Sequence, residues 1–167
     1  NMTISILTGG KTVELPEDQI AGGALGGILS FRNETLGNAQ NALGRIAITL
    51  AQTFNEQHQL GIDLNGDMGE DFFSVATPKI TSALTNDMAS GITVAITDYR
   101  ALTTSDYQFS YDGTNYTLTR LSDNQSVSST VLPSAGTPLT LDGISVDSAT
   151  ILANEKFLVQ PTVNGAA

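Results

Sequence analysis

No cysteine occurs among the 167 residues, which excludes disulfides, thiolate metal sites, iron–sulfur clusters and cysteine nucleophiles. Tryptophan is absent as well, so a sugar-binding site would have no indole platform. Basic residues are scarce. Seven Lys and Arg against seventeen Asp and Glu leave a formal charge of -10, and such a surface repels phosphate backbones and anionic lipid. Nucleic-acid binding is not expected. No apolar run reaches the roughly 18 residues of a spanning helix, and the first residues lack a basic segment followed by an apolar core. Neither membrane insertion nor a secretory signal peptide is expected. The start at Asn1-Met2 and the stop at Asn164-Gly165-Ala166-Ala167 read as the ends of an excised piece.

Hydrophobic residues make up 40% of the chain and charged ones only 14%, so the chain can bury a core while much of its polar surface is Thr, Ser, Asn and Gln. Residues 2 to 15 read as a hairpin, with Ile4 and Leu7 in one short strand, Val13 and Leu15 in the other, and Gly9-Gly10 as the turn. From about Gly22 to Gln59 the period becomes helical. Leu29, Leu36, Leu43 and Leu50 fall seven residues apart, and Leu25, Ala39, Ile46, Ala47 and Phe54 fill the same broad side. Arg32, Asn33, Glu34, Asn38, Gln40, Asn41, Arg45, Gln52 and Glu56 leave the other faces polar. An uninterrupted helix of that extent would be roughly 57 Å long, more a spine than a core element. Gly37 and Gly44 also lie seven apart, each after a stripe leucine. They predict either a close approach of another backbone or a local break.

Beyond Ile92 the period is two. Strands are predicted at Ile92 to Ile96, Tyr107 to Tyr111, Tyr116 to Leu118, 126 to 132, 138 to 142, 144 to 151 and 156 to 160. A four-residue loop at Asp112-Gly113-Thr114-Asn115 would set Tyr111 opposite Tyr116 and Phe109 opposite Leu118. Asp142-Gly143 would join two later strands. The fold class expected is α+β: an N-terminal hairpin and long amphipathic helix, then a mostly antiparallel β domain built as a meander or small barrel. Residues 1–78 would hold the hairpin, the helix and a connector loop, and 79–167 the outer β domain.

Candidate chemistry is thin. Asp63-Leu64-Asn65-Gly66-Asp67 resembles the opening of a calcium loop, but Met68 stands where glycine is needed and Ser74 where a bidentate glutamate is needed. An Asx/Gly turn is the expectation. Glu70 and Asp71 near Asp63 and Asp67 could supply paired carboxylates, yet their spacing says nothing of facing geometry. His58, the single histidine, is expected against the C-terminal helix dipole and otherwise solvated. No G-x-S-x-G elbow occurs. Gly22-Gly23-Ala24-Leu25-Gly26-Gly27 lacks the Lys-Ser/Thr of a phosphate loop and reads as a tight or flexible lead into the helix. No catalytic, cofactor or metal residues are assigned. The residues expected to act are those of the stripe, Leu25, Leu29, Leu36, Leu43, Ile46, Leu50 and Phe54, as helix-packing or subunit-interface positions.

The segment Ala21 to Arg32 resembles the start of the long helix in the flagellar hook-associated protein 1 family. Leu43-Gly44-Arg45-Ile46-Ala47, Phe54-Asn55-Glu56-Gln57-His58, Gly61 to Asp67, Asp71-Phe72-Phe73, Leu102 to Tyr107, Tyr111 to Leu121 and Phe157 to Pro161 are similar to that family in the same order. The resemblance implies a non-enzymatic, extracellular structural part of the bacterial flagellum at the hook–filament junction. Its implied partners are other subunits of the same protein, neighbouring hook or filament-junction proteins and, for the full-length protein, an export chaperone. The alternative from another class is an adhesin-like or carbohydrate-binding β module using exposed Tyr107, Tyr111 and Tyr116.

Overall fold

The computed structural model describes residues 4–8, 11–15 and 22–165, with side chains for residues 22–28, 30, 31 and 35–165. Two compact units divide the chain, Asn1–Ala39 and Gln40–Ala167. In the first, β1 (Ile4–Thr8) and β2 (Lys11–Leu15) pair antiparallel with Ile4 opposite Leu15 and Thr8 opposite Lys11. That is the register of the expected hairpin; the Gly9-Gly10 turn itself lies outside the described residues. Helix α1 (Gly23–Ser30) follows and passes into a π-helical stretch at Phe31–Leu36. Helix α2 (Gly37–Gln59) begins there. The helical reading of 22 to 59 therefore holds, with one local change of winding just before Gly37, while α2 runs unbroken through Gly44.

The second unit is mostly β. A five-stranded antiparallel sheet has the order β3 (Lys79–Ser82), β10 (Lys156–Gln160), β5 (Tyr107–Tyr111), β6 (Tyr116–Arg120), β7 (Ser126–Ser129). A three-stranded antiparallel sheet has the order β4 (Gly91–Ile96), β9 (Ile144–Thr150), β8 (Leu139–Leu141). Neither closes into a barrel. Strands β5, β6 and β7 form the meander part, and β10 returns from the end of the chain to separate β3 from β5. Strand β3 is unpredicted by the period-two reading.

Local chemistry explains the hairpins. Tyr111 pairs with Tyr116 and Phe109 with Leu118, as the Asp112–Asn115 loop requires, and the Asp112 carboxylate accepts the Thr114 and Asn115 backbone N–H groups, each at 2.7 Å. Between β8 and β9, Asp142 and Gly143 both adopt positive φ, 49° and 77°, with Leu141 opposite Ile144. This is the geometry of a two-residue turn whose twist suits its strands.

Alternate residues of the two sheets meet in one core: Tyr107, Phe109, Leu118, Phe157 and Val159 from the larger, Val94, Leu139, Leu141, Ile144 and Val146 from the smaller. Burying each such side chain contributes about 1.5–3 kcal/mol. Tyr107 keeps its hydroxyl satisfied in this core by donating to Asp142 Oδ2 at 2.8 Å, and that burial pushes the phenol's pKa up. Arg120 holds the same Asp142 oxygen at 2.8 Å and reaches Asp123 at 2.6 Å.

Candidate packing surface of the helix

Four residues of α2 are buried: Asn41, Gly44, Ile48 and Asn55. Ile48, 1% exposed, joins the β core. At Gly44 the backbone after β10 crosses the helix so closely that a Cβ would stand 1.8 Å from the Thr162 carbonyl oxygen; one on Gly165 would stand 2.5 Å from the Gly44 carbonyl. The close-approach role is thus realised at Gly44. Asn41 donates through Nδ2 to Thr104 O at 3.1 Å and Asp106 Oδ1 at 3.0 Å. Asn55 acts as a clamp. Its Oδ1 accepts the backbone N–H groups of Phe72 and Phe73 at 3.0 and 2.8 Å, while its Nδ2 donates to Phe73 O at 2.8 Å.

The apolar positions point elsewhere. At 3.6 residues per turn, Leu43, Ile46, Leu50 and Phe54 centre roughly 140° around α2 from the buried set. Exposure runs from 44% at Phe54 to 68% at Leu50, with Leu25, Leu36, Leu43 and Ile46 between them. Ile28 and Phe31 are exposed too. The side chain of Leu29 lies outside the described residues. Part of this face forms a groove of about 520 Å³ bounded by Arg45, Ile46, Thr49, Leu50 and Thr53 of the helix and by Thr104.

At the end of α2 the acidic connector folds into hydrogen-bonded turns. Asp63 Oδ1 accepts the Asn65 and Asp67 backbone N–H groups at 2.8 and 2.9 Å. These two bonds, Asp67's the stronger, hold its carboxyl below the usual carboxylate range. The group closes an Asx turn. Asp71 accepts Gln59 Nε2 at 2.6 Å, so the carboxylates of Asp63 and Asp71 serve the connector's own geometry. Among the described residues no group of three or more acidic or imidazole side chains converges as a metal site would require.

His58 is exposed in the last turn of α2, as expected, and it also has partners: its Nδ1 lies 2.7 Å from Glu70 O, and its ring stands beside Phe54 and Phe72. With Phe73 these rings form one cluster, centroids 5.0 to 5.4 Å apart between the phenylalanines. Gly61 N–H closes the helix end on His58 O at 3.0 Å. At the other end Gly22 is the N-cap of α1, with no side-chain cap. The three tyrosines do not make a binding face. Tyr107 is wholly buried, and Tyr111 and Tyr116, half-buried, stack on each other with centroids 4.2 Å apart.

Sequence reasoning placed Asn41 among the solvent-facing residues and gave Asn55 no role. One signal was present: Asn41, Ile48 and Asn55 are themselves seven apart, a second heptad line beside the leucines.

Comparison with known proteins bears on this helix and on the β sheets separately. A family model described as the flagellar hook-associated protein FlgK helical domain matches residues 1–73, and one described as flagellar hook-associated protein 1, D2-like domain, matches residues 81–161. Flagellar hook-associated protein 1 of Escherichia coli K12 is 39% identical over 152 residues, 89% of this chain and 27% of that protein. The Salmonella typhimurium protein is 36% identical over 154 residues, 91% of this chain and 28% of that one. The flagellar hook junction protein FlgK of Burkholderia pseudomallei has a solved structure that superposes with a TM-score of 0.82 at 36% identity, covering 94% of this chain and 29% of that one. The chain spans less than a third of the length of these relatives. With the helical and β halves matched in order by the same family's two domain models, the chain belongs to the flagellar hook-associated protein 1 family.

Proposed function

We propose that this chain is a structural, non-enzymatic part of the bacterial flagellum at the hook–filament junction, outside the cell, and that it works through helix packing and subunit contacts. Its contact positions are Leu25, Leu29, Leu36, Leu43, Ile46, Leu50 and Phe54. The observation that carries this reading is the inversion of α2: apart from Ile48, the residues it buries are polar or small, while Leu43, Ile46, Leu50 and Phe54 are exposed. An apolar stripe left uncovered is a surface for another helix. The partners are other subunits of the same protein and neighbouring hook or filament-junction proteins, with an export chaperone for the full-length chain. Residues 1–78 act as the helical part and 79–167 as the outer β part, a division supported by family matches that end at 73 and resume at 81.

Light scattering and circular dichroism across a concentration series test the reading on the parent chain and on Leu36→Asp/Leu43→Asp. Association in the parent that the double variant loses, at unchanged helicity, is the expected result. A monomer that the double variant unfolds would mean the stripe is covered within this chain, and the proposal fails.

A further inference from the structure

We infer that Asn65 is a site of spontaneous covalent modification, at which the side-chain amide is lost to the following backbone nitrogen and the connector turn passes into aspartate and isoaspartate forms. The inference is independent of the helix stripe and of what covers it.

The chain holds two Asn-Gly pairs, Asn65-Gly66 and Asn164-Gly165. Asparagine is chemically labile, and most so before glycine, where no Cβ shields the attacking nitrogen. The glycine nitrogen gives up its proton and bonds to the asparagine Cγ; the Cγ–Nδ2 bond breaks, ammonia leaves with that proton, and a succinimide ring remains. One water then opens the ring. Cleavage at Cγ leaves aspartate, and cleavage at the main-chain carbonyl leaves isoaspartate, whose backbone runs through Cγ. Either way an amide is exchanged for a carboxylate and one water is consumed, with no oxidant and no cofactor.

Local sequence makes the two pairs equal, but the fold does not. Asn65 and Gly66 are both exposed, and a Cβ added to Gly66 would meet no atom within 4 Å among the described residues. The Gly66 N–H is held by one long bond, to Asp63 O at 3.2 Å, and Asn65 Nδ2 by another, to Asp63 Oδ2 at 3.2 Å. Both acceptors belong to the same small turn, which can open without disturbing the core. Gly165, by contrast, is pressed against α2: a Cβ there would stand 2.5 Å from the Gly44 carbonyl oxygen and 2.8 Å from Ile48 Cγ1. Its N–H donates to Thr162 O at 3.0 Å, and Asn164 Nδ2 reaches Thr77 O at 3.5 Å. Ring closure at this pair requires the 162–165 segment to lift off the helix.

The product alters the connector. Asp63 Oδ2 loses the amide N–H it accepts, and a third carboxylate stands beside those of Asp63 and Asp67. In the isoaspartate form an added main-chain methylene also lengthens the turn that Asp63 closes on the Asn65 and Asp67 N–H groups, at the base of which Ile62 bridges Met68. The Asn55 clamp on Phe72 and Phe73 lies outside the altered turn.

Incubation of the folded chain, and in parallel of the chain unfolded in urea, at mildly alkaline pH tests the inference, with peptide mass spectrometry and enzymatic isoaspartate methylation as readouts. In urea both pairs should convert at similar rates. In the folded chain Asn65 should convert about tenfold or more faster than Asn164, and Asn65→Ser should remove the isoaspartate signal of its peptide. Equal rates at the two pairs in the folded chain, or an Asn65 that stays intact while the unfolded chain converts, overturns the assignment. Amide exchange on the aged chain should be faster at Asp67 and Gly69 and unchanged at Phe72 and Phe73, with Asn65→Asp separating the added charge from the added methylene. Unchanged exchange at Asp67 and Gly69 after Asn65 has converted overturns the effect on the connector.

Discussion

On one side of α2, Asn41, Gly44 and Ile48 are buried against the β half and Asn55 against the connector; on the other, Leu43, Ile46, Leu50 and Phe54 are exposed. In a helix whose folding depends on its own domain alone, the larger apolar stripe faces inward. Here the inward face holds two amides, a glycine and a single isoleucine. What those residues offer is close approach and direction: Gly44 lets the backbone at Thr162 touch the helix, and the amides bind backbone groups at Thr104 and at Phe72 and Phe73. The outward face offers apolar area. The lesson is that one face positions the helix and the other is left to be covered, and substitutions on the two faces should behave differently.

The largest effect is expected at Ile48. Ile48→Ala removes buried methylene groups from the core and should cost about 2–5 kcal/mol of stability, read from urea unfolding. A cost below about 1 kcal/mol, the size of a surface change, would break the comparison by showing that the inner face is not packed.

Gly44→Ala comes next. Alanine improves helix propensity by about 1 kcal/mol, so a helix with open space at this position would gain stability. The contact with the Thr162 carbonyl predicts the opposite sign, because the Cβ needs space that a backbone oxygen occupies. Overpacking of this kind costs about 1–3 kcal/mol. A stabilised variant would mean that the 162–165 segment is free to move away.

These two positions also mark how far the sequence could be read. Period-two alternation located β4, β5, β6, β9 and β10, and turn chemistry at Asp112–Asn115 and Asp142-Gly143 set their registers, because both signals are local. Strand β3 escaped notice since Lys79-Ile80-Thr81-Ser82 holds one large apolar residue and owes its place to β10, more than seventy residues on. Sheet order escaped for the same non-local reason. The stripe itself was plain, but its direction was not: hydrophobic periodicity says that a face will be covered, never by what. Asn41 looked like a surface residue, and Asn55 drew no reading at all, because nothing in a side-chain amide reveals whether it binds water or a backbone.

Acid should separate the elements further. The Arg120 guanidinium beside Asp123 holds that carboxyl at about 2, and Asp112, capped by the Thr114 and Asn115 N–H groups, also lies below its ordinary value. Glu155 is lowered in the same direction, chiefly by Ser90. A depressed carboxyl lends stability above its unfolded value, near pH 4, and loses it as pH falls toward the folded one. Between about pH 4 and 2 the turns of the β half should therefore loosen. The Asn55 clamp does not titrate and should hold. Amide exchange followed down this pH range would show protection lost first near residues 112–115 and 120–125, and likewise at the Asp63 turn, residues 65–67. Simultaneous loss at Phe72 and Phe73 would contradict this division.

The smallest effect should come from the outer face, and there the smallness is the result. Leu50→Ala deletes a large apolar side chain that is 68% exposed, so a monomer should change by no more than about 0.5 kcal/mol. The same truncation at Ile48 is expected to cost several times more, although the two residues are separated by a single position. If Leu50→Ala costs more than about 1 kcal/mol in dilute chain, some part of this chain covers the stripe and the contrast between the faces disappears. If it is neutral in dilute chain but destabilising at concentrations where copies associate, the lost stability belongs to the contact itself, because binding to the folded state alone raises apparent stability by mass action.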